Sequence, residues 1–154
     1  MTGNEYSLND CFSIGYLFLL SKGTNLGIKD SKQIKMNHTD AVREIVKIIP
    51  ESQEDFKESY KTKTPFMVIS IFTKQIKKLI KNHDQKILMK SITKMNQLYN
   101  KGDQALKNAI ENIFIYSLDS LTFCCEPSYK DLIFSKMSPS LQNNYLRQVY
   151  KSGI

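Results

Sequence analysis

The chain has 154 residues, 41% of them hydrophobic and 24% charged, which is the size and balance of one globular domain able to bury a core unaided; a disordered segment and a disulfide-stapled miniprotein are excluded. Six glycines and four prolines are too few for a turn-rich β-sandwich or barrel. The net charge of +7 comes almost wholly from lysine and is unevenly spread. Lys61 to Lys107 carries eleven lysines against Asp84 and Asp103, whereas Met36 to Tyr60 carries three basic residues against six acidic ones, so a basic face and an acidic end are expected.

Residues 1–35 hold four of the six glycines, and their apolar residues cluster instead of recurring at helical spacing. They read as an N-terminal extension or docked segment, set apart from a helical domain over 36–154. The apolar run from Cys11 to Leu20 is too short for a bilayer, which takes about 20 residues. It also lacks a basic leader and a small-residue cleavage site, so neither a membrane span nor a signal peptide is expected. The expected location is cytoplasmic, where the glycosylation sequon at Asn37, His38 and Thr39 is without use.

From Met36 onward the pattern is helical. Val42, Ile45, Val46 and Ile49 recur at i, i+3, i+4, i+7 until Pro50 stops them. Glu51 to Tyr60 is polar and acidic, a short helix or a loop. Thr64 followed by Pro65 reads as an N-cap and first helical residue, opening a stripe of Phe66, Ile69, Phe72, Ile76, Leu79 and Ile80 that ends near His83. Asp84 caps a helix bearing Ile87, Leu88, Ile92, Met95 and Tyr99, with Gly102 placed to close it in a left-handed conformation. Asp103 caps the next, with Leu106, Ile110, Ile113, Phe114, Leu118 and Leu121. After Pro127 comes a short helix from Tyr129 to Met137, and Ser138 with Pro139 repeats the cap-plus-proline signal before Leu141, Tyr145, Leu146 and Val149. The short connections force neighbouring helices antiparallel, so the expected fold is all-α: a compact antiparallel bundle, or a short helical-hairpin array, of about five to seven helices.

No dinucleotide fingerprint, P-loop, HExxH, EF-hand loop or nucleophile elbow occurs. Ser91, Ile92, Thr93 and Lys94 fit the S-x-x-K pattern of serine acyl-enzymes but lack its partner elements. Only His38 and His83 offer an imidazole, and His83 reads as a surface residue complementing a helix C-terminus. Cys124 and Cys125 are adjacent, with Cα atoms about 3.8 Å apart, and read as buried thiols and not as a bridge. A zinc site takes about four ligands, which His83, Cys124 and Cys125 do not reach. No catalytic residue, cofactor or metal ligand is assigned, and no enzymatic activity is expected.

Two charged sets are the candidate partner-binding residues. Lys74, Lys77, Lys78 and Lys81 lie opposite the Ile69–Phe72–Ile76 stripe, and Lys86, Lys90 and Lys94 share one face of the following helix; an antiparallel hairpin would join them into one basic surface for phosphates or an acidic partner. Glu51, Glu54, Asp55 and Glu58 form the acidic counterpart, an ordinary solvated face. Nucleic-acid readers add arginine and exposed aromatics. This chain has only Arg43 and Arg147, and its tyrosines fall mostly on apolar stripes, so a basic helical nucleic-acid binder is the second reading.

The stretch from Asn100 to Ile115 (NKGDQALKNAIENIFI) resembles a motif in an uncharacterised family of small bacterial all-helical proteins: a Gly-Asp turn, a helix reading valine or leucine, x, asparagine, apolar, isoleucine, glutamate, and a phenylalanine-rich continuation. The resemblance extends in style over about residues 36–150. Members of that family resemble immunity proteins carried beside bacterial toxins, which implies a non-enzymatic antidote that binds and occludes a cognate toxin. No catalytic residue is carried over. Immunity proteins against nucleases tend to be acidic; the +7 charge here implies instead a toxin with an acidic surface, or contact through the acidic 40–58 region. A virus-encoded helical-bundle modulator of host signalling is a third reading of the same composition.

Overall fold

In the computed structural model, which describes residues 33–58 and 62–152, the first helix begins at a polar side chain. Asn37 caps α1 (His38–Ile48): its Oδ1 accepts from the Thr39 and Asp40 amides at 2.9 and 3.0 Å, and Asp40 accepts from the Asn37 amide at 3.2 Å, a reciprocal capping box. The side chain of the sequon is thus committed to the helix start. Ile49 closes α1 just before Pro50. The acidic stretch forms a helix of five residues, α2 (Ser52–Phe56). The expected N-terminal extension lies outside the described residues except for residues 33–35.

α3 (Pro65–Lys81) starts as the Thr64–Pro65 pair predicts, with Thr64 Oγ1 accepting from the Met67 amide at 3.2 Å. α4 (Gln85–Lys101) is capped by Asp84, and α5 (104–122) by Asp103, whose Oδ1 accepts from the Leu106 amide at 2.8 Å. α6 (Pro127–Lys136) begins two residues earlier than its apolar pattern suggests, because Pro127 itself serves as the first helical residue. α7 (Pro139–Ser152) follows Ser138, whose Oγ accepts from the Leu141 amide. The described residues form seven helices and no strand, an all-α bundle with connections of two to four residues from α3 onward.

Two local expectations are corrected. Gly102 is extended, with φ −69° and ψ 154°, and not left-handed. Glycine is needed there for space: a Cβ would sit 2.4 Å from the Leu98 carbonyl oxygen. The left-handed residue is His83, at φ 54°, in the α3–α4 turn. The second correction concerns α5. It runs α-helical over Gln104–Ala109, opens into a π-helix over Ile110–Ile115, and resumes as α-helix over Tyr116–Thr122. The wider turn shifts the buried stripe, so Ile115 is buried and Ile113 only half-buried, the reverse of an unbroken 3.6-residue period.

Contacts gather Lys35–Ile154 into one unit. α3 lies at its centre, packed against α1, α2, α4 and every part of α5. Its buried face (Val68, Ile69, Phe72, Ile76) meets Ile45, Leu88, Ile92, Met95, Ile110 and Phe114 in one continuous core. Each such side chain stabilises the fold by about 1.5–3 kcal/mol through burial. The start of α1 is tied to the α4–α5 junction by a single bridge. The Met36 amide donates to the Lys101 carbonyl and the Asp103 amide donates to the Met36 carbonyl, both at 2.8 Å.

Candidate functional site

With α3 buried along one side, its opposite side must face solvent, and the sequence has filled that side with lysine. Lys74, Lys77, Lys78 and Lys81 are all exposed. The three-residue turn at 82–84 brings α4 back alongside, and its first outward positions, Lys86 and Lys90, are exposed as well. None of these six ammonium groups forms an ion pair among the described residues. Their charge is therefore directed at solvent.

Lys94, on the same face by spacing, is placed differently. It is half-buried, with Nζ 2.7 Å from Glu44 Oε2 on α1 and 2.6 Å from Gln97 Oε1. Glu44 also accepts from Lys47. These two ammonium donors, Lys47 foremost, hold the Glu44 carboxyl at about 2, well below the usual carboxylate range. Lys94 thus clamps α1 to α4 and leaves the open lysine face.

The acidic candidates are brought near the same helix. Asp55 accepts a hydrogen bond from Gln75 on α3, next in sequence to Lys74, which seats the acidic α2 against α3. Glu54 pairs with Lys57. Glu51 and Glu58 are exposed, and Glu58 lies past the end of α2. The result is a lysine face on a helix that also carries a carboxylate-bearing neighbour, a mixed surface and not a uniform cationic one.

The alternative chemistries fall apart in three dimensions. Ser91 is fully buried and donates its hydroxyl to the Ile87 carbonyl at 2.9 Å, while Lys94 is held by Glu44, so the S-x-x-K residues form no nucleophile–base pair. Cys124 is exposed and Cys125 half-buried, which corrects the expectation of two buried thiols: α5 ends at Thr122 and the pair sits in the following turn. Burial and the neighbouring Cys124 push the Cys125 thiol up, away from a reactive thiolate. His83 is exposed, its ring 6.2 Å from that of Tyr129. Among the described residues no group of three or more histidine, cysteine or acidic side chains is placed to hold a metal, and no helix is long and apolar enough to cross a membrane.

Two features escape a reading by pattern. One is a polar network across α4, α5 and α7. Tyr99 Oη donates to Glu111 at 2.6 Å, Asn144 Nδ2 donates to Tyr99 Oη at 2.6 Å, and Gln148 Nε2 donates to the Glu111 carbonyl at 3.1 Å. The other is a set of exposed aromatics, Tyr116, Phe123 and Tyr150, on or beside α5 and α7. The only signal for Tyr116 is its position off the α5 apolar stripe.

These elements define an all-α helical bundle with an exposed row of lysines. Residues 42–151, from α1 into α7, match the family described as domain of unknown function DUF7674, and the chain belongs to that family. No curated protein and no solved structure matches the chain.

Proposed function

We propose that the chain is a non-enzymatic protein-binding domain, an immunity-like antidote that occludes a cognate toxin by seating the lysine face of the α3–α4 hairpin on an acidic surface. The observation that carries this reading is the set of six exposed lysines, Lys74, Lys77, Lys78, Lys81, Lys86 and Lys90, without an ion pair among the described residues. Unpaired like charges on one hairpin repel one another, and an acidic partner relieves that repulsion while steering association. A protein partner is favoured over nucleic acid by what accompanies the lysines. Arg43 is engaged with Asp40 and Arg147 with Asn144, the three strongly exposed aromatics lie on or beside α5 and α7, and the carboxylates of α2 adjoin α3. A nucleic-acid surface would favour arginine forks and stacking aromatics among its lysines.

The test is co-expression of the full chain with the product of the adjacent gene. A stable complex and rescue of growth are expected, and both are lost on replacing Lys74, Lys77, Lys78 and Lys81 together by glutamate. Absence of complex and rescue with the native chain overturns the antidote reading. Binding to duplex DNA that weakens steeply with salt would put nucleic acid in its place.

A further inference from the structure

The outward row of α3 is not basic along its whole length. Met67, Ile71, Lys74, Lys78 and Lys81 succeed one another at intervals of four, three, four and three residues, the spacing of a coiled-coil seam. Met67 is 42% exposed and Phe66 beside it 46%, an unusual exposure for two large apolar residues in the first turn of a central helix. Ile71 is half-buried between the two ends. The seam therefore has an apolar end near Thr64 and a cationic end near Asn82. The distance between them is about 21 Å at 1.5 Å per residue.

A row of this spacing is the surface on which a second helix lies. Resting on the protein-binding reading above, we propose that the outward face of α3 is a docking rail for an acidic amphipathic helix of the partner. Carboxylates of that helix meet Lys74, Lys78 and Lys81, and an apolar side chain at its other end covers Phe66 and Met67. The helix dipoles favour the antiparallel direction. Acidic residues are best placed in the first turn of a helix, and antiparallel docking sets that first turn over Lys78 and Lys81, themselves in the last turn of α3. A uniform polyanion matches the rail poorly, because neither a phosphate backbone nor an anionic headgroup layer provides an apolar group confined to one end.

The experiment uses the full chain and a fluorescent helical peptide of about 18 residues, long enough to cover the seam at 1.5 Å per residue. The peptide carries glutamates at four-three spacing and leucine near its C-terminus. A scrambled peptide of the same composition, a duplex DNA and phosphatidylserine vesicles are the comparisons. The seam peptide is expected to bind about ten-fold more tightly than the scramble, the amount that three exposed ion pairs of ordinary strength supply. The triple variant Lys74→Glu, Lys78→Glu, Lys81→Glu abolishes that advantage. The double variant Phe66→Ala, Met67→Ala lowers affinity several-fold while circular dichroism stays native. Equal binding of the two peptides, or tighter binding of DNA or vesicles than of the seam peptide, overturns the rail. The co-expressed complex separates the two levels. Loss on lysine reversal with unchanged affinity of the Phe66→Ala, Met67→Ala complex removes the rail and leaves the lysine face, whereas survival of the complex on lysine reversal removes the lysine-face reading itself.

Discussion

Replacing Gly102 by alanine adds one methyl group at a tight backbone approach, and its cost can be worked from the geometry. The new Cβ would lie 2.4 Å from the Leu98 carbonyl oxygen and 3.0 Å from a Leu106 methyl carbon. The oxygen is main chain inside α4 and accepts from the Gly102 amide at 2.8 Å, so it cannot swing aside. Relief must come from moving the α4–α5 junction, which carries the Asp103 cap and both hydrogen bonds to Met36. Overpacking of this kind costs about 1–3 kcal/mol, and a weakened cap or junction hydrogen bond adds about 1 kcal/mol. We expect a loss of about 2–4 kcal/mol, read as a fall in Tm of about 5–15 °C for a domain of this length. Thermal and urea unfolding followed by circular dichroism measure it. Because φ at Gly102 is −69°, backbone strain contributes nothing. A Gly102→Ala variant within about 0.5 kcal/mol of the native chain, the usual range for a neutral surface change, would refute the steric argument.

Other outcomes follow from the hydrogen-bonded side-chain pairs. Glu44, held at about 2 by Lys47 and Lys94, has a folded pKa below its unfolded one; its contribution is present at neutral pH and lost as pH falls from the ordinary carboxylate range toward 2. Urea midpoints across that window should drop in the native chain and drop less in Glu44→Gln, and a side-chain NMR titration placing Glu44 near 4 would contradict this. Tyr145 is pushed up to about 12, first by its 2.5 Å hydrogen bond to Asp119 and then by burial, so its contribution holds below about pH 10 and fades as pH rises toward 12. Ultraviolet titration should show a late tyrosinate component, part of which moves earlier in Asp119→Asn; unchanged titration would count against the bond. Tyr99→Phe removes the hydroxyl shared by Glu111 and Asn144 and should destabilise by about 1–3 kcal/mol, with faster amide exchange concentrated in α7. Exchange rising uniformly over the bundle would show that the network does not act on α7.

The helix starts were the most legible part of the sequence because each is a local contest between a side chain and its own backbone. Thr64, Asp84, Asp103 and Ser138 all accept from the first turn that follows them. The outward direction of Lys74, Lys77, Lys78 and Lys81 was legible for the same reason that Phe72 and Ile76 are buried: one period fixes both sides of a helix. What depended on distant residues was not legible. Lys94 shares the spacing of Lys86 and Lys90, and only the approach of α1 with Glu44 withdraws it from solvent. Gly102 advertised a left-handed cap when it answers a contact with Leu98 and Leu106, and the α5 stripe concealed the residue at which the period changes. Cys124 looked like a core thiol because nothing in its neighbourhood marks where α5 stops.

The π-helical turn within α5 gives that helix two orientations. Its first part faces α3 and α4, and the π segment is the part that meets both α3 and α7. Gln148 on α7 bonds to the carbonyl of Glu111 inside that segment. The wide turn acts as a phase adjuster, rotating the residues beyond it about the helix axis without breaking the rod. Winding Ile110–Ile115 as ordinary α-helix with no residue removed would return α5 to a single period and turn Tyr116–Thr122 by about 100°, the angle of the one residue that the wide turn absorbs. Leu118 and Leu121 would be carried out of the core and α7 left without its seat. The winding of this segment is thus as much a determinant of the fold as its composition.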